Sequence, residues 1–159
     1  MKIFRFLVII LTSILVSSCY TLKVPTIVQN DRIEGYKYIF ISPTNSLTSS
    51  SGATYGNQYY STTKTVNPSD VIAGILSKEG FIIVPEVKPE LIDETIIVNY
   101  GESGRRNVAF GYTIEVTIQF ISAKSHTLLS SCTAEGIGDT EADDIRKAIT
   151  RCLTGLFPK

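Results

Sequence analysis

The polar and apolar positions divide the chain into two unequal parts. Lys2 and Arg5 stand ahead of an apolar run over residues 6–16, broken only by Thr12 and Ser13. Ser17, Ser18 and Cys19 follow. A basic head, a short apolar stretch and small residues at its end are the three parts of a secretory signal over residues 1–18. The run falls well short of the ~20 residues a helix needs to cross a hydrocarbon core, so a permanent span is not expected.

Residues 20–35 carry Pro25 and the polar run Gln29-Asn30-Asp31-Arg32, and with Cys19 they read as a tether over 19–35. Residues 36–41 alternate, are rich in β-formers and predict a first strand. Residues 42–66 are dense in Ser, Thr, Gly and Asn and carry no apolar period. They read either as a disordered loop or as a binding loop in which Tyr55, Tyr59 and Tyr60 offer flat amphipathic faces to a glycan or a protein partner.

Asn67 then suits a helix N-cap, Pro68 its first position and Asp70 the third place of a capping box. Val71, Ile72, Ile75 and Leu76 fall on one helical face, and Gly80 can stop the helix. Residues 81–84 and 95–100 read as strands, and residues 101–107 as a glycine-bracketed loop. Residues 112–121 alternate strictly. A turn at 123–126 joins them to residues 127–135 in an antiparallel hairpin. Thr140 begins a last helix with the apolar stripe Ala142, Ile145, Ile149, Cys152, Leu153 and Leu156. The order β-α-β-β-β-β-α predicts an α+β fold: a two-layer sandwich with a mixed, mostly antiparallel sheet of about five strands and two helices on one face. One domain over 36–159 accommodates all of it.

Composition narrows the function only a little. The chain has 159 residues with fifteen basic and fifteen acidic side chains, two of the basic ones in the signal. A balance so near zero argues against nucleic acid as a partner and against electrostatic attachment to anionic lipid. A single histidine, His126 at the expected turn, and no Cys-x-x-Cys leave no basis for a zinc site, a cofactor or a catalytic triad. Glu141, Asp143 and Asp144 are accounted for by the dipole of the last helix. In Gly101-Glu102-Ser103-Gly104 the serine lacks the spacing of a nucleophile elbow. Arg105 and Arg106, beside glycine backbone, suit either a phosphate, carboxylate or acidic partner or a solvated hairpin loop. Cys132 and Cys152 lie in phase to meet between strand and helix, as a disulfide or as two buried thiols. Their separation decides, and the sequence does not supply it.

Val16-Ser17-Ser18-Cys19 resembles the lipobox of bacterial lipoproteins. That resemblance implies a diacylglyceryl (palmitate-type) anchor on Cys19, with the membrane as a partner through that lipid. Tyr20 after the cysteine, and no acidic residue before Asp31, imply the outer membrane with the domain facing the periplasm. The lipobox, Gly80-Phe81, Ile97-Val98-Asn99-Tyr100, Ala134-Glu135-Gly136 and the closing Phe157-Pro158 together resemble small Bacteroides-type lipoproteins of unknown function. The likeness implies fold and location and supplies no activity. The expected function is a non-enzymatic accessory or binding lipoprotein of the cell envelope with a protein partner. An envelope glycan or peptide hydrolase and a self-assembling structural subunit are the alternatives, and the oligomeric state stays open.

Overall fold

The structure, a computed structural model, describes residues 21–108 and 111–158. The expected signal and Cys19 lie outside the described residues. In chain order the elements are β1 (Thr26–Gln29), β2 (Tyr38–Ile41), β3 (Leu47–Tyr55), β4 (Gln58–Val66), α1 (Pro68–Lys78), β5 (Ile82–Val84), a 3-10 turn (Pro89–Glu94), β6 (Thr95–Val108), β7 (Gly111–Ser122), β8 (Leu128–Gly136) and α2 (Glu141–Leu156). Six strands form one mixed sheet in the order β1-β8-β7-β6-β2-β5, and β3 and β4 form a separate ribbon. The fold is α+β. The last three strands make an antiparallel meander, and β2 runs parallel to both β5 and β6.

Alternation along β7 turns Ile114, Val116, Ile118 and Phe120 toward the helices, where all four are fully buried. They meet Ile72 and Leu76 of α1 and Ala142, Ile145, Ile149 and Leu153 of α2. Each large side chain buried this way contributes about 1.5–3 kcal/mol. Cys132 of β8 and Cys152 of α2 form a disulfide across the same interface, their Cα atoms 5.5 Å apart. Near it α2 crosses β8 so closely that a Cβ on Gly136 would lie 1.9 Å from the Asp144 carbonyl oxygen. Only glycine permits that approach.

Four local readings change. The segment expected as tether contributes the edge strand β1, with Thr26 opposite Thr133, so the sheet has six strands rather than five. Within residues 42–66, residues 47–66 form the β3–β4 ribbon, turning at Gly56-Asn57 with Gly56 at φ 62°. Most of its side chains on both faces are exposed, so it lacks the apolar alternation by which a strand is recognised. Residues 101–107 are not a loop: β6 continues to Val108 through a bulge between Glu102 and Gly104. The glycines that suggested a turn sit around that bulge. Finally, the Asn67 side chain does not cap α1. Thr44 Oγ1 accepts from the Ser69 N–H at 2.9 Å and donates to Asn67 Oδ1 at 2.6 Å, so the cap comes from the β2–β3 connection. In α2 the Thr140 side chain does accept from the Asp143 N–H.

Candidate functional site

The most concentrated chemistry lies where β6, β7 and β8 end beside the start of the described chain. It is built by the bulge. Gly101 faces Thr117 and Glu102 faces Val116, but after the extra residue Gly104 faces Glu115 and Arg106 faces Thr113. One inserted residue therefore reverses the alternation of β6. Ser103 Oγ, on the bulge, donates to Glu115 Oε1 at 3.0 Å and accepts from Thr117 Oγ1 at 3.1 Å.

The reversal decides which face of the sheet each of the two adjacent arginines takes. Arg106 joins the helix-free face and grips Glu135 of β8 with both nitrogens, Nε to Oε1 at 2.8 Å and Nη2 to Oε2 at 2.6 Å. Arg105 turns to the helix face, stacks over the Tyr112 ring at 5.1 Å and pairs with Glu141 in the first turn of α2. Both guanidiniums thus hold carboxylates of this chain.

The Glu135 side chain is 1% exposed and gathers more than Arg106. The Lys23 N–H donates to its Oε2 at 3.1 Å, and Lys23 Nζ lies 3.4 Å from Oε1. The Arg106 bonds, and then the Lys23 N–H, hold its carboxyl down at about 2, against the burial that would raise it. Arg151 of α2 completes the arrangement, donating to the backbone carbonyls of Glu135 and, at 2.8 Å, of Lys23. Arg106 Nη2 also reaches the Thr21 carbonyl at 3.5 Å. Pro25 has no N–H to continue the β1 ladder. These side chains do what strand pairing does not, and fix residues 21–23 to the end of β8.

Beside this cluster a cleft of about 370 Å³ is lined by Ser49, Ser51, Tyr112, Asp139, Thr140 and Glu141. Asp144 at its floor accepts from the Gly138 N–H, and burial pushes its carboxyl up. A second cleft of about 350 Å³, at the other end of the helices, is lined by Ile33, Tyr36, Phe81, Leu156 and Phe157. Among the described residues no group of three or more His, Cys, Asp and Glu converges as a metal site, and no helix is long and apolar enough to cross a membrane.

Of the residues singled out from sequence, Tyr55, Tyr59 and Tyr60 lie together at the ribbon tip, 86%, 69% and 60% exposed. They are remote from Arg105 and Arg106 along the chain and are not joined to them in one pocket. His126 takes a left-handed turn position at φ 56°, its N–H donating to the Ser122 carbonyl at 2.9 Å. Ala134-Glu135-Gly136 is the end of β8. The sequence carries no signal that marks Glu135, Lys23 or Arg151 as site residues. Glu135 occupies the outward phase of its strand with Ser131 and Thr133, where a carboxylate reads as an ordinary solvated side chain.

The sequence matches no protein-family model and no curated protein. Among solved structures the chain is similar to the PelC dodecamer from Paraburkholderia phytofirmans. The identity is 15% with a TM-score of 0.47, over 84% of this chain and 96% of that one. A leucine-to-methionine variant of the same dodecamer gives 14% identity and a TM-score of 0.45, over 83% and 96%.

Proposed function

We propose that the chain is a lipid-anchored, non-enzymatic accessory lipoprotein of the bacterial envelope, of the small Bacteroides-type kind. It is held at the outer membrane through Cys19, faces the periplasm and binds an envelope protein. The observation that carries this reading is the seating of Thr21 and Lys23 by Arg106, Glu135 and Arg151. A lipid two residues before Thr21 would leave at most ~7 Å of chain between anchor and fold. The domain would then sit at a set height and orientation, as suits a subunit that presents one surface to a partner. The Cys132–Cys152 disulfide supports the same compartment, since such bonds persist outside the cytosol.

The helix-free face of the sheet supplies a surface for the partner. By strand alternation Tyr38, Phe40, Val84, Ile97 and Ile121 share it with Ile82, which is 52% exposed. They lie at the end away from Lys23. Two measurements test the reading. Mass spectrometry of the native protein should find a diacylglycerol-modified Cys19 at the mature N-terminus, and an unmodified sulfur would end it. Photo-crosslinking from Phe40 in intact cells should yield a defined heterologous band, whereas a ladder of self-adducts would favour a self-assembling subunit. Edges that are unpaired among the described residues, at β1 with exposed Val24, Ile27 and Val28 and at β5 with Ile82, are what would support that second reading.

A further inference from the structure

The β3–β4 ribbon projects in a direction that its contacts define. Near its base the Thr65 carbonyl accepts from Arg146 at 3.4 Å, in the second turn of α2. One residue further out Lys64 pairs with Asp143, and the Ser49 hydroxyl accepts from the Ala142 N–H at 2.8 Å. Ser50 and Ser51 then line the cleft with Gly111, Tyr112 and Asp139. Moving outward, the ribbon thus travels back along α2 to its first turn, passes the β6–β7 hairpin and continues. From Ser49 to Tyr55 it reaches about 20 Å at ~3.3 Å per residue.

The same end of the molecule holds the start of the described chain. Arg105 pairs with Glu141, in the helix turn the ribbon passes, while the adjacent Arg106 touches the Thr21 carbonyl. A lipid on Cys19 and the ribbon tip would therefore emerge from one end of the fold.

The tip's chemistry is unusual for an exposed segment. No charged residue occurs from Ser42 to Thr63, in a chain that is 19% charged overall. The outermost positions carry three tyrosines among Ser, Thr, Asn and Gln. Tyr55 and Tyr60 share one face of the ribbon by register. Tyr59 lies across Gly52 on the other, where a Cβ would be 2.1 Å from its hydroxyl. Tyrosine is the side chain whose apolar ring and polar tip suit the headgroup layer of a bilayer, and a segment without charges has none to desolvate there.

We propose that the ribbon tip is a second membrane contact: Tyr55, Tyr59 and Tyr60 enter the interfacial layer of the bilayer that carries the lipid on Cys19. The inference rests on the anchored reading above. Lipid and ribbon form two feet, and the second fixes the rotation of the domain about the first. No net charge takes part, so the contact needs no anionic lipid.

The chain contains no tryptophan, so one substitution supplies the only indole. The full lipidated protein carrying Tyr55→Trp, and separately Ile82→Trp at the opposite end, is reconstituted into phosphatidylcholine vesicles containing a headgroup-level nitroxide lipid. Flotation reports the anchor, and indole emission reports the tip. The expected result is flotation of both proteins, a blue shift for Tyr55→Trp, and quenching several-fold stronger than for Ile82→Trp. Flotation with equal, water-like emission from both positions overturns the tip contact and leaves the anchor standing. Failure of both proteins to float removes the anchor and the proposal with it. A blue shift that already appears without vesicles and grows with protein concentration assigns the tip to a second copy of the chain, and also overturns it.

Discussion

Arg106 and Glu135 lie on strands separated by β7, and the arginine reaches across that strand to grip both carboxylate oxygens. The pair sits on the open side of the sheet, yet the carboxylate is almost completely covered. Its state governs how the first described residues are held.

The pair predicts a signature at acid pH. Glu135 has its folded-state pKa lowered from 4.5 to about 2. A depressed carboxylate adds stability that is complete above the unfolded value and disappears as pH falls through the folded one. Thermal unfolding followed by circular dichroism should therefore show a Tm that drops between about pH 4.5 and 2, and Glu135→Gln should flatten that limb. At neutral pH the same variant should lose about 1–3 kcal/mol, since Arg106 remains partly hydrated. Asp144 has the opposite sign: burial raises its pKa, so its charged form costs stability as pH rises through the folded value.

Removing the bulge should leave the two arginines where they are. Gly104 already faces Glu115, so deleting Ser103 joins Glu102 to Gly104 in strict alternation and keeps Arg105 opposite Ile114 and Arg106 opposite Thr113. Urea unfolding should place the deletion within about 1 kcal/mol of Ser103→Ala, which removes the same exposed hydroxyl bonds. A much larger loss would contradict the register described for residues 104–108.

The Cys132–Cys152 bond closes a loop of sequence separation 20, which on chain-entropy grounds is worth about 3 kcal/mol. Both sulfur-bearing residues are fully buried. Reductant should therefore act slowly on the folded protein, at a rate that rises with urea. Cys132→Ser/Cys152→Ser should unfold at a correspondingly lower urea concentration. Rapid reduction without loss of structure would contradict the packing described for α2 on β8.

Two glycines should respond oppositely to alanine. At Gly136 the new methyl would overlap the Asp144 carbonyl and approach the Ala148 nitrogen to 2.6 Å. Helix α2 must then lift from β8, at a cost of about 2–3 kcal/mol or more. At Gly74, exposed on α1 with nothing within 4 Å, alanine should stabilise by about 0.5–1 kcal/mol through helix propensity. Paired denaturation curves of Gly136→Ala and Gly74→Ala check both signs.

The parts of the fold readable from sequence are those where one side of an element is apolar and the other is not. Ile114, Val116, Ile118 and Phe120 mark β7, and Ile145, Ile149 and Leu153 mark α2, because each row meets the same core. The β3–β4 ribbon was hidden by the opposite condition: Thr48 and Ser50 pair with Thr65 and Thr63 through hydroxyls in the open, so there was no buried face to announce a strand. Strand β1 was hidden by being short and exposed along its whole length. The cluster around Glu135 was hidden by distance, since Lys23, Arg106, Glu135 and Arg151 come from four separate segments. What joins them is the phase change at Ser103, a single extra residue that no periodicity reports. The tyrosines were legible as a group, and only the course of the ribbon gave them a direction.

The pairing of β1 with β8 sets an order of events for the newborn polypeptide. A chain that emerges from its N-terminus offers Thr26 long before Thr133 exists beside it, and α2 must follow β8 before the helix layer can close. Such distant partners make for slow, late consolidation. Nearly the entire molecule must be made before its beginning has anywhere to rest.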